Sequence, residues 1–150
     1  MLRLNRLTDY AIVAMSKMSH RPDDVRTTTQ ISLETAVPMP TIAKLLNALV
    51  KGGLVFSHRG ASGGYTLSRP AEDITAADII QAVEGPISLT ACVDGSDEEC
   101  GIQLDCPMSG NWNKVNQAIQ KALKEVSLAE LGAPHTPKYD SQNSNQQAAN

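Results

Sequence analysis

The chain has 150 residues, 41% hydrophobic and only 3% aromatic, so it can bury one real core and that core must be aliphatic. No apolar run is long enough to cross a bilayer, and the start, MLRLNRLTDY, lacks a signal-peptide apolar region, so the expected location is the cytoplasm without membrane contact. The net charge of −3 hides a split: residues 1–70 carry nine Lys and Arg against four Asp and Glu, whereas residues 71–150 carry four against twelve. A basic front and an acidic back fit contact with a polyanion at one end only.

Leu7 to Met18 is predicted as a first helix, with Thr8 as its cap and Asp9 in the first turn, where the helix dipole favours a carboxylate. His20 to Asp24 reads as a loop. A short helix follows over Gln30 to Thr35, with Thr28 or Thr29 as cap, and either hydroxyl could also touch a phosphate. After a turn at Ala36-Val37-Pro38, a helix runs from Pro40 to Lys51. Its apolar face is Ile42, Leu45, Leu46, Leu49 and Val50, and Thr41, Lys44 and Asn47 fall on the other side. Gly52-Gly53 stops it. Leu54-Val55-Phe56 and Tyr65-Thr66-Leu67 then have strand composition, and the tip between them carries His58, Arg59, Gly60, Ser62, Gly63 and Gly64. Two short helices followed by a basic, glycine-tipped hairpin are the layout of a winged helix-turn-helix, whose second helix enters a major groove while the wing follows phosphates. The competing interpretation is an ordinary helix–hairpin in a small α/β domain.

Thr75 to Val83 is predicted as a further helix, closed by Glu84-Gly85-Pro86. A loop from Ile87 to Met108 contains all three cysteines, Cys92, Cys100 and Cys106, spaced C-x7-C-x5-C. Zinc usually brings paired C-x2-C knuckles, which this loop lacks, whereas an iron–sulfur cluster accepts wider spacing. The acidic neighbours Asp94, Asp97, Glu98, Glu99 and Asp105 would be tolerated beside a bound metal. The alternative is three thiols acting as redox switches. Asn111 to about Val126 is an amphipathic helix with the stripe Trp112, Val115, Ala118, Ile119, Ala122, Leu123 and Val126, most economically buried in a homodimer. Residues 132–150, rich in Pro, Ser, Asn and Gln, read as a disordered tail. The expected organisation is a winged helix-turn-helix over 1–70 and a cluster loop with a long dimerisation helix over 71–131, mainly α with one small β-hairpin wing. Catalysis is not expected: His20, His58 and His135 are scattered, and no nucleophile elbow, Walker loop or dinucleotide fingerprint is present.

Taken together, LRLNRLTDYAIVAM, LVKGGLV, HRGASGGYTLSRP, EDITAADIIQAVEGP and the three-cysteine loop resemble the IscR/NsrR-type winged-helix regulators of bacteria over about residues 1–131. Within that family the start is most similar to regulators of the Suf iron–sulfur assembly operon. The resemblance implies a homodimer on near-palindromic double-stranded promoter DNA, with Thr28, Pro40, Thr41, Lys44 and Asn47 and the wing residues His58, Arg59 and Ser62 as contacts. It implies a [2Fe–2S] or [4Fe–4S] cluster on Cys92, Cys100 and Cys106, received from iron–sulfur assembly proteins. Some relatives place a histidine three residues after the last cysteine, where this chain has Ser109. Nitric-oxide-sensing relatives use an aspartate of the other subunit's first helix, where Asp9 stands; the competing role of Asp9 is that of a dipole partner. Assembly regulators often carry a glutamate at the position of Ala43. The resemblance thus implies a regulator responding to cluster status, with a nitric-oxide-responsive repressor or a cluster-free thiol or metal-binding protein as alternatives.

Overall fold

The computed structural model describes residues 3–102 and 105–134. Of the tail expected over residues 132–150, the part from His135 onward lies outside the described residues, whereas Gly132 caps the last helix. Helices α1 (Arg6–Ser19), α2 (Thr28–Thr35) and α3 (Met39–Lys51) lead into strands β1 (Val55–His58) and β2 (Gly64–Leu67). After a 3-10 turn at Ala71–Asp73 come α4 (Ala76–Glu84), α5 (Asn113–Lys124) and the short α6 (Leu128–Leu131). The architecture is mainly α with one antiparallel hairpin, in the register Val55↔Leu67 to His58↔Gly64.

The core is aliphatic, as the composition requires. Ala11, Ala14, Met15 and Met18 of α1 meet Ile31 of α2 and Ile42, Leu45, Leu46 and Leu49 of α3. Leu54, Val55 and Leu67 bring in the base of the hairpin, and Ile74, Ile79 and Leu128 close the far side. The buried side chains of α3 recur every three or four residues, which leaves one stripe of that helix free. Val50 lies at the margin of the buried face and is only half-buried.

Capping departs from the sequence expectation at two places. Asn5, not Thr8, caps α1 by accepting from the Leu7 N–H at 3.1 Å. Thr8 is fully buried and donates its hydroxyl to the Glu84 carboxylate, which also accepts the Asn5 N–H at 2.9 Å. An unpaired buried hydroxyl is costly, so this contact fixes the start of α1 to the end of α4. Likewise α2 begins two residues earlier than expected, capped by Thr27 rather than Thr28 or Thr29. The reason is a reciprocal pair: the Gln30 N–H donates to the Thr27 hydroxyl at 3.2 Å, and the Thr27 N–H donates to the Gln30 side chain at 2.9 Å.

The hairpin also gains a third, minimal partner. Arg26 pairs with Tyr65 through N–H to O bonds of 2.9 and 2.8 Å, and its buried guanidinium is ion-paired with Glu34 of α2. Gly64 permits this approach, because a Cβ there would sit 2.6 Å from the Arg26 carbonyl oxygen. At the hairpin tip Gly60 has φ +102°, a region closed to most L side chains.

Candidate nucleic-acid interface and cysteine loop

The free stripe of α3 presents Pro40, Lys44 and Asn47 to solvent, with Lys51 at its end and Thr41 half-buried on its flank. These lie opposite Ile42, Leu45 and Leu49, so the core holds the helix while its polar side stays open. Thr28, now the first residue of α2 rather than its cap, is half-buried. On the wing His58, Arg59 and Ser62 are exposed, and the His58 ring meets the Thr66 hydroxyl across the hairpin at 2.9 Å. The exposed polar stripe and the basic wing tip therefore come from adjacent elements of one rigid unit. A helix of this kind offers Lys and Asn to base edges and leaves the wing for backbone contact.

Arg69 ties that unit to α4. Its guanidinium donates to Asp78 at 2.8 Å and to the Asp73 carbonyl at 2.9 Å. Asp78 also accepts the Thr75 N–H at 2.9 Å, while the Asp78 N–H donates to the Thr75 hydroxyl, a second reciprocal cap. Burial works against ionising Asp78, but the Thr75 hydrogen bonds and the Arg69 charge outweigh it and hold the carboxyl below its ordinary value.

The cysteines occupy the irregular segment between α4 and α5. Cys92, Cys100 and Cys106 are all half-buried free thiols. Among the described residues no three His, Cys, Asp or Glu side chains converge as a metal site, so neither the three thiols nor Asp9 are gathered within one chain. Asp9 is exposed in the first turn of α1. As a donor set, three thiols in one segment without regular structure suit a soft or iron–sulfur centre, because such a segment can close around the group it binds.

The first part of this segment is nonetheless held in place, by a feature sequence reasoning missed. Asn116 of α5 is 2% exposed, the lone buried residue of that helix. Its amide accepts the Leu89 N–H at 3.1 Å and donates to the Ile87 carbonyl at 3.0 Å, which Gln120 also reaches at 3.0 Å. One turn earlier Asn113 accepts the Asp94 N–H and donates to the Asp94 carboxylate, both at 2.8 Å. Amides three and seven residues apart thus share one face of α5 and clamp the backbone on both sides of Cys92. The sequence does carry a signal for it: Asn113, Asn116 and Gln120 recur at helical spacing, beside the more conspicuous apolar stripe.

That stripe lies on the surface of the single chain. Trp112 is 42% exposed and Val115 44%, with Val126 also exposed at the end of the helix. Ile119 and Leu123 line an apolar groove with Ile80, Pro86, Ile87 and Leu89. Among the described residues no helix is long and apolar enough to cross a membrane.

Solved structures share this fold. The chain is 28% identical to CymR (YrzC), the global cysteine regulator of B. subtilis, covering 88% of this chain and 97% of that one with a TM-score of 0.66. It is 27% identical to IscR of T. potens, covering 87% and 85%, with a TM-score of 0.61. The oxidised form of Staphylococcus aureus CymR matches at 25% identity over 90% and 99%, with a TM-score of 0.62. The profile of the Rrf2 family, described as iron-dependent transcriptional regulators, matches residues 4–134. With a helix-turn-helix, a wing and this match, the chain is a DNA-binding transcription regulator and not an enzyme. It belongs to the Rrf2 family.

Proposed function

We propose that the chain acts as a homodimeric regulator that reports iron–sulfur status to promoter DNA and controls iron–sulfur assembly genes. The observation that carries this is the placement of three free thiols in one segment that follows α4 directly and whose first part, around Cys92, is clamped by α5. Cys92, Cys100 and Cys106 would hold the cluster, with Asp9 of the second subunit as the fourth ligand. A [2Fe–2S] or [4Fe–4S] centre with one oxygen ligand would supply chemistry open to oxidants, nitric oxide and iron scarcity.

The remaining steps belong to the chain itself. Glu84 ends α4, accepts from Asn5 and Thr8 of α1, and leads directly into the cysteine segment. Movement of that segment therefore bears on α1, which packs against α2 and α3. Shifting the two recognition helices toward or away from the half-site spacing of DNA then changes affinity. The exposed stripe of α5 would be covered by the second copy. Donor proteins of the iron–sulfur assembly class are the partners this implies.

The second candidate is a thiol-based regulator without a cluster, favoured by the likeness to the cysteine regulator CymR and its oxidised form. Anaerobic reconstitution with iron and sulfide, followed by visible absorption and a DNA-binding titration, separates the two. A sulfide-to-iron absorption band that is lost in Cys92→Ala, with a changed affinity for DNA, supports the cluster. A colourless protein whose DNA affinity follows thiol oxidation supports the alternative.

A further inference from the structure

The leading tip of the recognition helix is apolar. Pro38, Met39 and Pro40 are three consecutive exposed residues, and Met39 is 50% exposed. Pro38 and Pro40 have no backbone N–H, so Met39 supplies the single backbone donor of the three. A helix start poor in N–H groups is a weak phosphate site. Its side chains offer no hydrogen-bond donor to a base edge either.

Met39 is also held. The residue before a proline has little backbone freedom, and Pro38 accepts from the Thr41 and Ile42 N–H groups at 2.9 and 3.0 Å to fix the first turn. The Thr29 hydroxyl approaches the Met39 sulfur at 3.6 Å from α2. The first residues of a recognition helix are the ones that reach base edges. On the floor of the major groove the apolar group is the thymine C5-methyl. An exposed apolar tip gains by burial only where that methyl lies beneath it.

We infer that Met39, steadied by Thr29 and its flanking prolines, reads a thymine methyl group in each half-site and so determines sequence specificity. The inference rests on α3 being the recognition helix, and the test keeps the two apart. Duplexes are first selected by the full-length protein from a random library. Each thymine of the selected half-site is then replaced by deoxyuridine, which removes only the methyl, and affinity is measured by fluorescence anisotropy. The expected result is an affinity loss of about fourfold at one thymine per half-site, the effect of one buried methyl. Met39→Ala and Met39→Gln, both folded by circular dichroism, should bind the thymine and deoxyuridine duplexes alike at that position. A selected half-site without thymine, wild-type protein indifferent to every replacement, or variants that keep the penalty would each overturn the inference. A protein that selects no duplex and shows no salt-dependent DNA binding would instead overturn the recognition-helix reading itself.

Discussion

The two halves of the chain hold themselves together differently. From α1 to α4 the molecule is an aliphatic core, closed by Leu128 of α6, with α1, α2, α3 and the hairpin base contributing side chains that are almost fully buried. From residue 86 to α5 the order is largely polar: amides clamp a backbone, Asn116 is the helix's buried residue, and Trp112, Val115 and Val126 lie outside, with Val93 a buried apolar exception. The front is complete as a single chain. The back leaves Trp112, Val115 and Val126 exposed, and in the proposed function a second copy covers them.

The sharpest way to test that contrast is to damage each half. Leu46→Ala removes a fully buried side chain from α3 and should cost about 2–5 kcal/mol, read as a lower urea midpoint. Val115→Asp on the exposed stripe should leave that midpoint nearly unchanged while converting dimer to monomer in sedimentation. If Val115→Asp unfolds the chain instead, the division into a self-sufficient front and an incomplete back is wrong.

Next in size are effects on DNA. Asn47→Ala should remove about 1–3 kcal/mol of discrimination between base pairs, whereas Arg59→Ala on the wing should weaken all sequences alike and reduce the salt slope by about one. Competition titrations at several salt concentrations distinguish the two patterns. Asn116→Ala should cost about 1–3 kcal/mol, because the half-buried Leu89 N–H loses its partner. Hydrogen exchange should quicken at residues 87–94 and stay slow in α3.

Much of the front was legible in the sequence because its signals are local. The apolar period of α3, its Gly52-Gly53 stop and the glycine-tipped wing each sit within a few residues. The errors arose where a choice is made elsewhere. Thr8 looks like a cap until Glu84, 76 residues away, takes its hydroxyl and leaves Asn5 to cap α1. Among Thr27, Thr28 and Thr29 the cap is chosen by Gln30, which stands three residues after Thr27 alone. Val25-Arg26 is too short to show alternation, so its pairing with Tyr65 was invisible. The cysteines were conspicuous, but the amides that hold their loop are ordinary residues on a helix noted for its apolar face.

The smallest expected effects lie at the joint between the halves. Thr75→Ala breaks the α4 cap and should cost about 1 kcal/mol. Asp78 is held below the ordinary carboxylate value, so its contribution is complete above that value and is lost as pH falls through the lower folded one. Asp78→Asn should therefore flatten the acid limb of a stability-versus-pH curve and leave its neutral limb parallel to wild type.

The most direct measurement is the native mass of the anaerobically reconstituted full chain beside Cys92→Ala and Asp9→Ala. A dimer heavier than its apo form by one cluster per subunit, lost in Cys92→Ala and lost or altered in Asp9→Ala, is the predicted result. A reconstituted wild-type protein with the apo mass would contradict a cluster on the cysteine segment, and a monomer would contradict a back half completed by a second copy.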